Sequence, residues 1–338
     1  MTTSEESPNS SLLFHLFNQH QVQPVELSFL AYLRGRCRSL PSIFLGIGDD
    51  AAAMEPSDSL QLSCTDQIID GVDFLSSSHK LSDAGFKAMA INISDIAAMG
   101  GTPNAALVTL TLPCQNSTSI AGEVYEGILE AASKYNITIA GGDISTYDGP
   151  LAISVCLLGE VSKEAIWRRS DAIEGDAILV TGPVGGSLLG RHLRPEPKIE
   201  LARTLQGRCR VNAAIDISDG LSLDLDRLCA ASGVGAELDI ERIPIHPDAI
   251  ILSETSGRTP FQHAWSDGED FELLLTMKQQ DADNLLSNHP ELQLTQIGNT
   301  VGRTGLWKRN QGKLQRLPPQ GYVHDLKPES PKSADTEK

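Results

Sequence analysis

The feature that most constrains this chain is the alternation of two apolar rhythms along its length. Over 82–99 the apolar positions Phe86, Met89, Ala90, Ile93, Ile96 and Ala97 recur every three or four residues, which lays one stripe along an α-helix. Ser82 offers that helix an N-cap, and Gly100-Gly101 offer it a stop. Over 105–112 the rhythm changes to period two around Val108, Leu110 and Leu112, as in a half-buried strand. A strand at 61–64, ending at Thr65-Asp66, comes before this pair. A helix over 120–135 and strands at 137–140 and 151–161 follow it. The second half repeats the mixture: strands at 177–181, 236–240, 271–276 and 292–297, a strand or helix entry at 213–217, a short helix over 187–193, and a helix over 221–231. Interleaving of this kind implies an α/β (α+β) fold in which helices cover sheets.

A polar, turn-like stretch over 162–175 separates the two halves. At roughly 150 residues per domain, 338 residues make two. The expected division is an N-terminal domain over 12–160 and a C-terminal domain over 161–326. The tails, 1–11 and 327–338, are rich in Ser, Pro, Glu and Lys and can bury little. Lys and Arg number 27 against 44 Asp and Glu, a formal charge of −17. Such a field repels phosphate backbones and anionic lipid, so neither nucleic acid nor membrane is an expected partner. An anionic substrate would need local cations, and divalent metal is the obvious supply. No apolar run approaches the ~20 residues of a membrane span, and the start carries no signal-peptide pattern. Six cysteines without CxxC pairing read as reduced thiols of a cytoplasmic protein.

The aspartates are the candidate chemistry. Asp49-Asp50 follow a Gly-Ile-Gly string, Asp66 follows Thr65, Asp95 sits within the 82–99 helix, and Asp143 follows Gly141-Gly142. Asp216 and Asp219 flank Ile217-Ser218, and Asp267 and Asp270 bracket Gly268-Glu269. Any one Asp beside Gly is ordinary turn chemistry, Asp219-Gly220 can cap the helix that follows, and Asp270 can simply start a strand. Asp95 among apolar helix neighbours is harder to assign to a turn, although a solvated helix face accounts for it too. Taken together, these oxygen donors at Gly-rich turns suit Mg²⁺ shared with phosphates. No P-loop, dinucleotide fingerprint, zinc spacing or serine-nucleophile elbow is present. The loop 182–187 (GPVGGS) could hold a phosphate at a helix start or be a plain turn. Arg34, Arg36 and Arg38 read as a solvated run. Arg168-Arg169 read as a surface pair able to clamp phosphate.

In their order the strings resemble the thiamine-monophosphate kinase family. They run through GIGDDA at 46–51, Thr65-Asp66, GVDF at 71–74, KAMAINISDIAAMG at 87–100, GGD at 141–143 and VTG at 180–182. They continue with HLRPEP at 192–197, IDISDGL at 215–221, GEDFEL at 268–273 and Gly321-Tyr322. The match spans about 40–325, and single strings are shared with aminoimidazole ribotide synthetase and selenophosphate synthetase. The resemblance implies an aminoimidazole ribotide synthetase-like two-domain fold whose N-terminal domain pairs in a homodimer. It implies ATP-dependent phosphorylation of thiamine monophosphate to thiamine diphosphate with several Mg²⁺ ions. It further implies metal ligands at Asp50, Thr65, Asp66, Asp95, Asp143, Asp216 and Asp219. ATP contacts would fall at Tyr125, Gly142, Asp143, Arg169 and Ser218, and acceptor contacts at Asp73, Glu269 and Tyr322. Three positions depart from the family: Asp73 stands for the usual His, Ile144-Ser145 for Thr-Thr, and Asp267 for Gly. A related ATP-dependent enzyme acting on another small acceptor, and a non-catalytic nucleotide-binding assembly module, remain the alternatives.

Overall fold

The computed structural model describes residues 25–37, 40–47, 51–310 and 313–323. Asp49, Asp50, Arg38 and both tails lie outside that set. The chain forms two compact units, the first made of 1–168 with 190–216 and the second of 169–189 with 217–338. The units therefore interleave along the chain and do not part at a single point.

Unit 1 begins with α1 (Val25–Arg36) and a small ribbon of β1 (Ile43–Leu45) and β2 (Ala53–Met54). Then come β3 (Leu60–Ile69), α2 (Leu81–Ala98), β4 (Thr102–Pro113), α3 (Ser117–Lys134), β5 (Thr138–Tyr147) and β6 (Ala152–Val161). The sheet order is β3-β6-β4-β5, antiparallel except for the parallel β4–β5 pair. The α2 stripe is buried as its period requires: Met89, Ala90, Ile93 and Ala97 have no accessible surface. Each large apolar side chain removed from water in this way contributes about 1.5–3 kcal/mol. Gly100, at φ +69, turns the chain out of the helix, and its N–H returns to the Ala97 carbonyl at 2.9 Å. The other end differs from expectation. Lys80, not Ser82, is the N-cap, and it makes no side-chain capping bond.

Helices α2 and α3 approach so closely that each gives up a side chain at the crossing. A Cβ on Gly127 would stand 1.7 Å from the Ser82 carbonyl oxygen, and one on Gly85 2.0 Å from that of Val124. Arg194, from the HLRPEP string, fastens the same pair. Its guanidinium lies over the Phe86 ring at 4.2 Å and pairs with Asp83 on α2 and Glu130 on α3. That string thus packs helices.

In chain order β7 (Ala177–Val180) belongs to unit 2, and α4 (Ile199–Gln206) and β8 (Ala213–Asp216) return to unit 1. Unit 2 resumes with α5 (Leu221–Ser232), β9 (Gly235–Leu238), α6 (Pro247–Ser256), α7 (Pro260–Ser266) and β10 (Leu273–Met277). It ends with α8 (Gln279–Asn288), β11 (Thr295–Val301), β12 (Gly305–Asn310) and β13 (Lys313–Leu317). Its strands lie in the order β13-β12-β9-β11-β7-β10, with β12 parallel to β9 and the other pairs antiparallel. The expected helix over 187–193 is instead two short 3₁₀ turns. Helices α4, α6, α7 and α8 and the last two strands go beyond the sequence reading.

Candidate functional site

The acidic residues of unit 1 sit on regular elements. Asp66 and Asp143 were expected at strand ends, but both lie inside longer strands. Pairing with β6 carries β3 on to Ile69, and pairing with β4 carries β5 on to Tyr147. Their ladder partners sustain these strands past the apolar residues that marked them. Thr65 spends its hydroxyl on the Val155 carbonyl at 3.1 Å. The Cys64 thiol faces the Asn92 carbonyl at 3.4 Å and feels the charges of Asp95 and Asp66. Burial pushes that thiol up, the charges of Asp95 and Asp66 and a hydrogen bond with Asp95 push it further, and Cys64 stays protonated. One residue before Asp95, the Ser94 hydroxyl donates to Asp216 Oδ2 at 2.8 Å, so the last carboxylate of β8 is tied to α2.

An open cavity of about 840 Å³ lies against β5 and α1 in unit 1. Its walls include Leu30 and Leu33 from α1, Tyr125 from α3, and Gly141, Gly142 and Asp143 from β5. Gly142 has φ +154, and a Cβ there would stand 1.8 Å from the Val108 carbonyl oxygen, so the bare backbone is what lets β5 lie against β4. Tyr125 is 3% exposed, edge-on to Phe29 with centroids 5.5 Å apart, and burial raises its hydroxyl pKa. The cavity brings together three of the expected ATP-binding residues: Tyr125, Gly142 and Asp143.

Asp73 closes its own turn. Its Oδ2 accepts the Ile69 N–H at 2.7 Å, and its carbonyl accepts Lys87 Nζ at 2.9 Å. Lys87 is only 1% exposed, so a buried cation on α2 holds the turn in place.

In unit 2 the expected residues meet through their backbones. The Glu269 N–H donates to the Ser218 carbonyl at 2.7 Å, and the Tyr322 N–H to the Asp219 carbonyl at 2.9 Å. Ser218, Asp219, Glu269 and Tyr322 therefore form one group. Arg169 opens the unit with an exposed side chain. Asp224, which the sequence reading passed over as an ordinary helix residue, organises this group. It is 1% exposed, and its Oδ2 accepts the N–H groups of Ser218, Asp219 and Gly220 at 3.1, 2.9 and 3.1 Å. Arg227 bridges Asp224 and Asp219. Gly220 is the N-cap of α5, and Asp224 holds the turn that leads into it. An Asp in the first turn of a helix was the available signal.

The phosphate reading of 182–187 is corrected. The Gly185 N–H faces both oxygens of Asp270 at 2.9 and 3.0 Å, and the Gly186 N–H donates to Asp267 Oδ2 at 3.0 Å. Carboxylates already occupy the amides a phosphate would use. Asp270, 5% exposed, is likewise an anchor and precedes the start of β10.

The donors are oxygens throughout, as a hard cation requires. Among the described residues, no three His, Cys, Asp or Glu side chains form a ready-made metal cluster.

Two family models cover the chain: "AIR synthase related protein, N-terminal domain" over 48–161 and "AIR synthase related protein, C-terminal domain" over 172–306. The chain is 59% identical over 309 residues to the thiamine-monophosphate kinase of Rhodopirellula baltica, covering 89% of this chain and 97% of that one. The chain belongs to the thiamine-monophosphate kinase family. A solved structure, "AaThiL complexed with AMPPCP and TMP", superposes with a TM-score of 0.70 at 30% identity, covering 89% of this chain and 96% of that one. HypE of Escherichia coli, a hydrogenase maturation protein, gives 0.73 at 18% identity, covering 88% and 99%. It shares the fold alone. The two-domain aminoimidazole ribotide synthetase-like architecture expected from the motifs is therefore the fold of this thiamine-monophosphate kinase family member.

Proposed function

We propose that this chain is an ATP-dependent kinase that phosphorylates thiamine monophosphate to thiamine diphosphate in thiamine biosynthesis. The observation that carries the reading is the cavity gathering Tyr125, Gly142 and Asp143, in a chain matching 97% of a thiamine-monophosphate kinase at 59% identity. A phosphate oxygen of the acceptor bonds to the γ-phosphorus of ATP as the bond to the β-phosphate oxygen breaks, and ADP leaves. No general base is required, because a phosphate monoester with a second pKa of about 6 is already largely ionised near pH 7. What remains for the protein is to position two polyanions in line and neutralise their charge.

For that, Thr65, Asp66, Asp95, Asp143, Asp216, Asp219 and Asp50 are the proposed holders of Mg²⁺. The all-oxygen donor set supports this assignment. Bound Mg²⁺ ions supply positive charge to the nucleotide and acceptor oxygens. Tyr125, Gly142, Asp143, Arg169 and Ser218 are assigned to ATP, and Asp73, Glu269 and Tyr322 to the acceptor. Asp73 contributes through the shape of its Lys87-braced turn, since its carboxylate is engaged by the Ile69 N–H.

The remaining attributes are proposed with it. A homodimer through the N-terminal unit is supported by exposed apolar residues there, Phe44, Leu60 and Leu107. A cytoplasmic setting without membrane or nucleic-acid partners fits six free cysteines and a charge of −17. Among the described residues no helix is long and apolar enough to cross a membrane. A coupled assay of ATP turnover with thiamine monophosphate, thiamine and other small phosphates tests the reading. Magnesium-dependent ADP release with thiamine monophosphate is expected. Turnover of another phosphate alone would indicate a related enzyme, and nucleotide binding without turnover an assembly module.

A further inference from the structure

We infer that Asp267, held by His263 and Arg258, is a positioning residue that fixes the strained loop presenting Glu269 to the acceptor. This rests on the kinase reading above. The loop is wound in a way few sequences tolerate: Gly268, Glu269 and Phe271 have φ of 76°, 52° and 53°. Two of the three carry side chains in the left-handed region, at a cost that the surroundings must offset. Such strain persists only where neighbours over-determine the backbone, and it gathers where geometry matters for function.

The neighbours are identifiable. The Phe271 N–H reaches the Ile217 carbonyl at 2.9 Å, and the Ser187 hydroxyl donates to the Gly268 carbonyl at 2.7 Å. Asp270 grips Gly185, and Asp267 grips Gly186. The loop is therefore sewn to 185–187 on both sides of Glu269.

Asp267 stands apart from the other anchors because a side-chain network holds it in turn. Its side chain is 3% exposed. Arg258 Nη1 donates to Oδ1 at 2.7 Å, and His263 Nδ1 lies 2.8 Å from Oδ2. An ionised carboxylate only accepts, so His263 carries a proton on Nδ1. In the neutral ring Nε2 then accepts from the Ser256 hydroxyl, 2.7 Å away. Arg258 is braced in its turn, since Nη2 donates to the Gln262 carbonyl and the Ser266 hydroxyl, both at 2.6 Å.

Helix α7 does not need this network to form. It has a capping box between Thr259 and Gln262, a proline in its first turn, and a backbone bond from the Asp267 N–H to the His263 carbonyl. Buried ion pairs add little net stability over well-packed apolar groups. What the network supplies is direction: it aims one carboxylate at the Gly186 N–H and so fixes where the chain enters the left-handed turn at Glu269.

The test varies thiamine monophosphate and ATP independently with the full-length wild type, Asp267→Asn and Arg258→Met, and records Tm alongside. Asp267→Asn should raise KM for thiamine monophosphate about tenfold while leaving KM for ATP within about twofold, and Arg258→Met should raise the former about threefold. A wild-type KM for thiamine monophosphate in both variants, or equal shifts in both KM values, would overturn the role of Asp267 and leave the kinase reading standing. A fall in kcat that merely tracks Tm, with KM unchanged, would do the same. Should Asp267→Asn fail to fold, Arg258→Met decides alone, because that side chain is 41% exposed and Met keeps its apolar stem. A wild type that does not turn over thiamine monophosphate removes the kinase reading and this inference together.

Discussion

Three aspartates on the regular elements of unit 1 contrast with three that hold loops of unit 2. In unit 1, Asp66, Asp95 and Asp143 project from the interiors of β3, α2 and β5, elements whose backbones are already satisfied by ladder or helix bonds. Asp143 is exposed, and the other two are half-buried. In unit 2, Asp224, Asp267 and Asp270 are nearly inaccessible, and each takes backbone N–H groups of a neighbouring loop. The backbones of β3, α2 and β5 are held by their own ladder or helix bonds. Loops without a ladder consume carboxylates to hold their shape. Residue type alone cannot separate these jobs, but the support beneath the residue does.

Neutralising one aspartate of each kind is the strongest way to break that contrast. Asp95→Asn removes a proposed metal ligand while keeping the side chain's size and hydrogen-bonding capacity. It should lower kcat/KM by about a thousandfold, roughly 4 kcal/mol, with Tm nearly unchanged. Wild-type turnover at saturating Mg²⁺ would remove Asp95 from the site.

Asp224→Ala should do the reverse. It strips the acceptor from three N–H groups and from Arg227, so stability should fall by about 3 kcal/mol in denaturant titration. Activity should fall less than in Asp95→Asn, because no ligand-facing charge is lost. A variant as stable as the wild type would show that water or another group takes over those N–H bonds.

These two kinds of aspartate also mark what could be read in advance. The α2 stripe and the period-two strand after it were legible because packing against one side imposes a period on the sequence. Asp95 emerged from that reading because it interrupts an apolar helix. Asp66 and Asp143 were recognised but misplaced to strand ends, since partner strands extend β3 and β5 through polar residues that carry no apolar rhythm. Asp224 gave no periodic sign, because a carboxylate reaching back over its own helix start depends on the turn before it. The amides at 185–186 looked open for phosphate because their acceptors, Asp270 and Asp267, lie about 80 residues further on. Ladder and helix leave a local signature, whereas carboxylate–amide contacts across long loops leave none.

The smallest effect sharpens the contrast from its exposed side, at the wall of the unit 1 cavity. Arg36 on α1 donates to both oxygens of Glu126 on α3 at 3.0 and 3.1 Å, and Tyr32 donates to Oε1 at 2.7 Å. Burial raises the Glu126 carboxyl, but the bonds from Arg36 and Tyr32 and the charge of Arg36 outweigh it, leaving it below its ordinary value of 4.5. Burial, then the hydrogen bond and charge of Glu126, push the Tyr32 hydroxyl from 10.0 up to about 12. A depressed carboxyl contributes stability that is complete above its unfolded value and is lost as pH falls through the folded one. A raised phenol contributes stability that is complete below its unfolded value and is lost between about 10 and 12. Both partners are about a third exposed, so the pair should be worth under about 1 kcal/mol and fade with salt. Glu126→Gln should therefore cost little at pH 7. The gap to wild type should close below pH 4.5 as the native carboxyl protonates, and should narrow in about 1 M salt. A gap that ignores both acid and salt would mean that α1 is held over the cavity by the packing of Phe29 and Leu33, with the ion pair incidental.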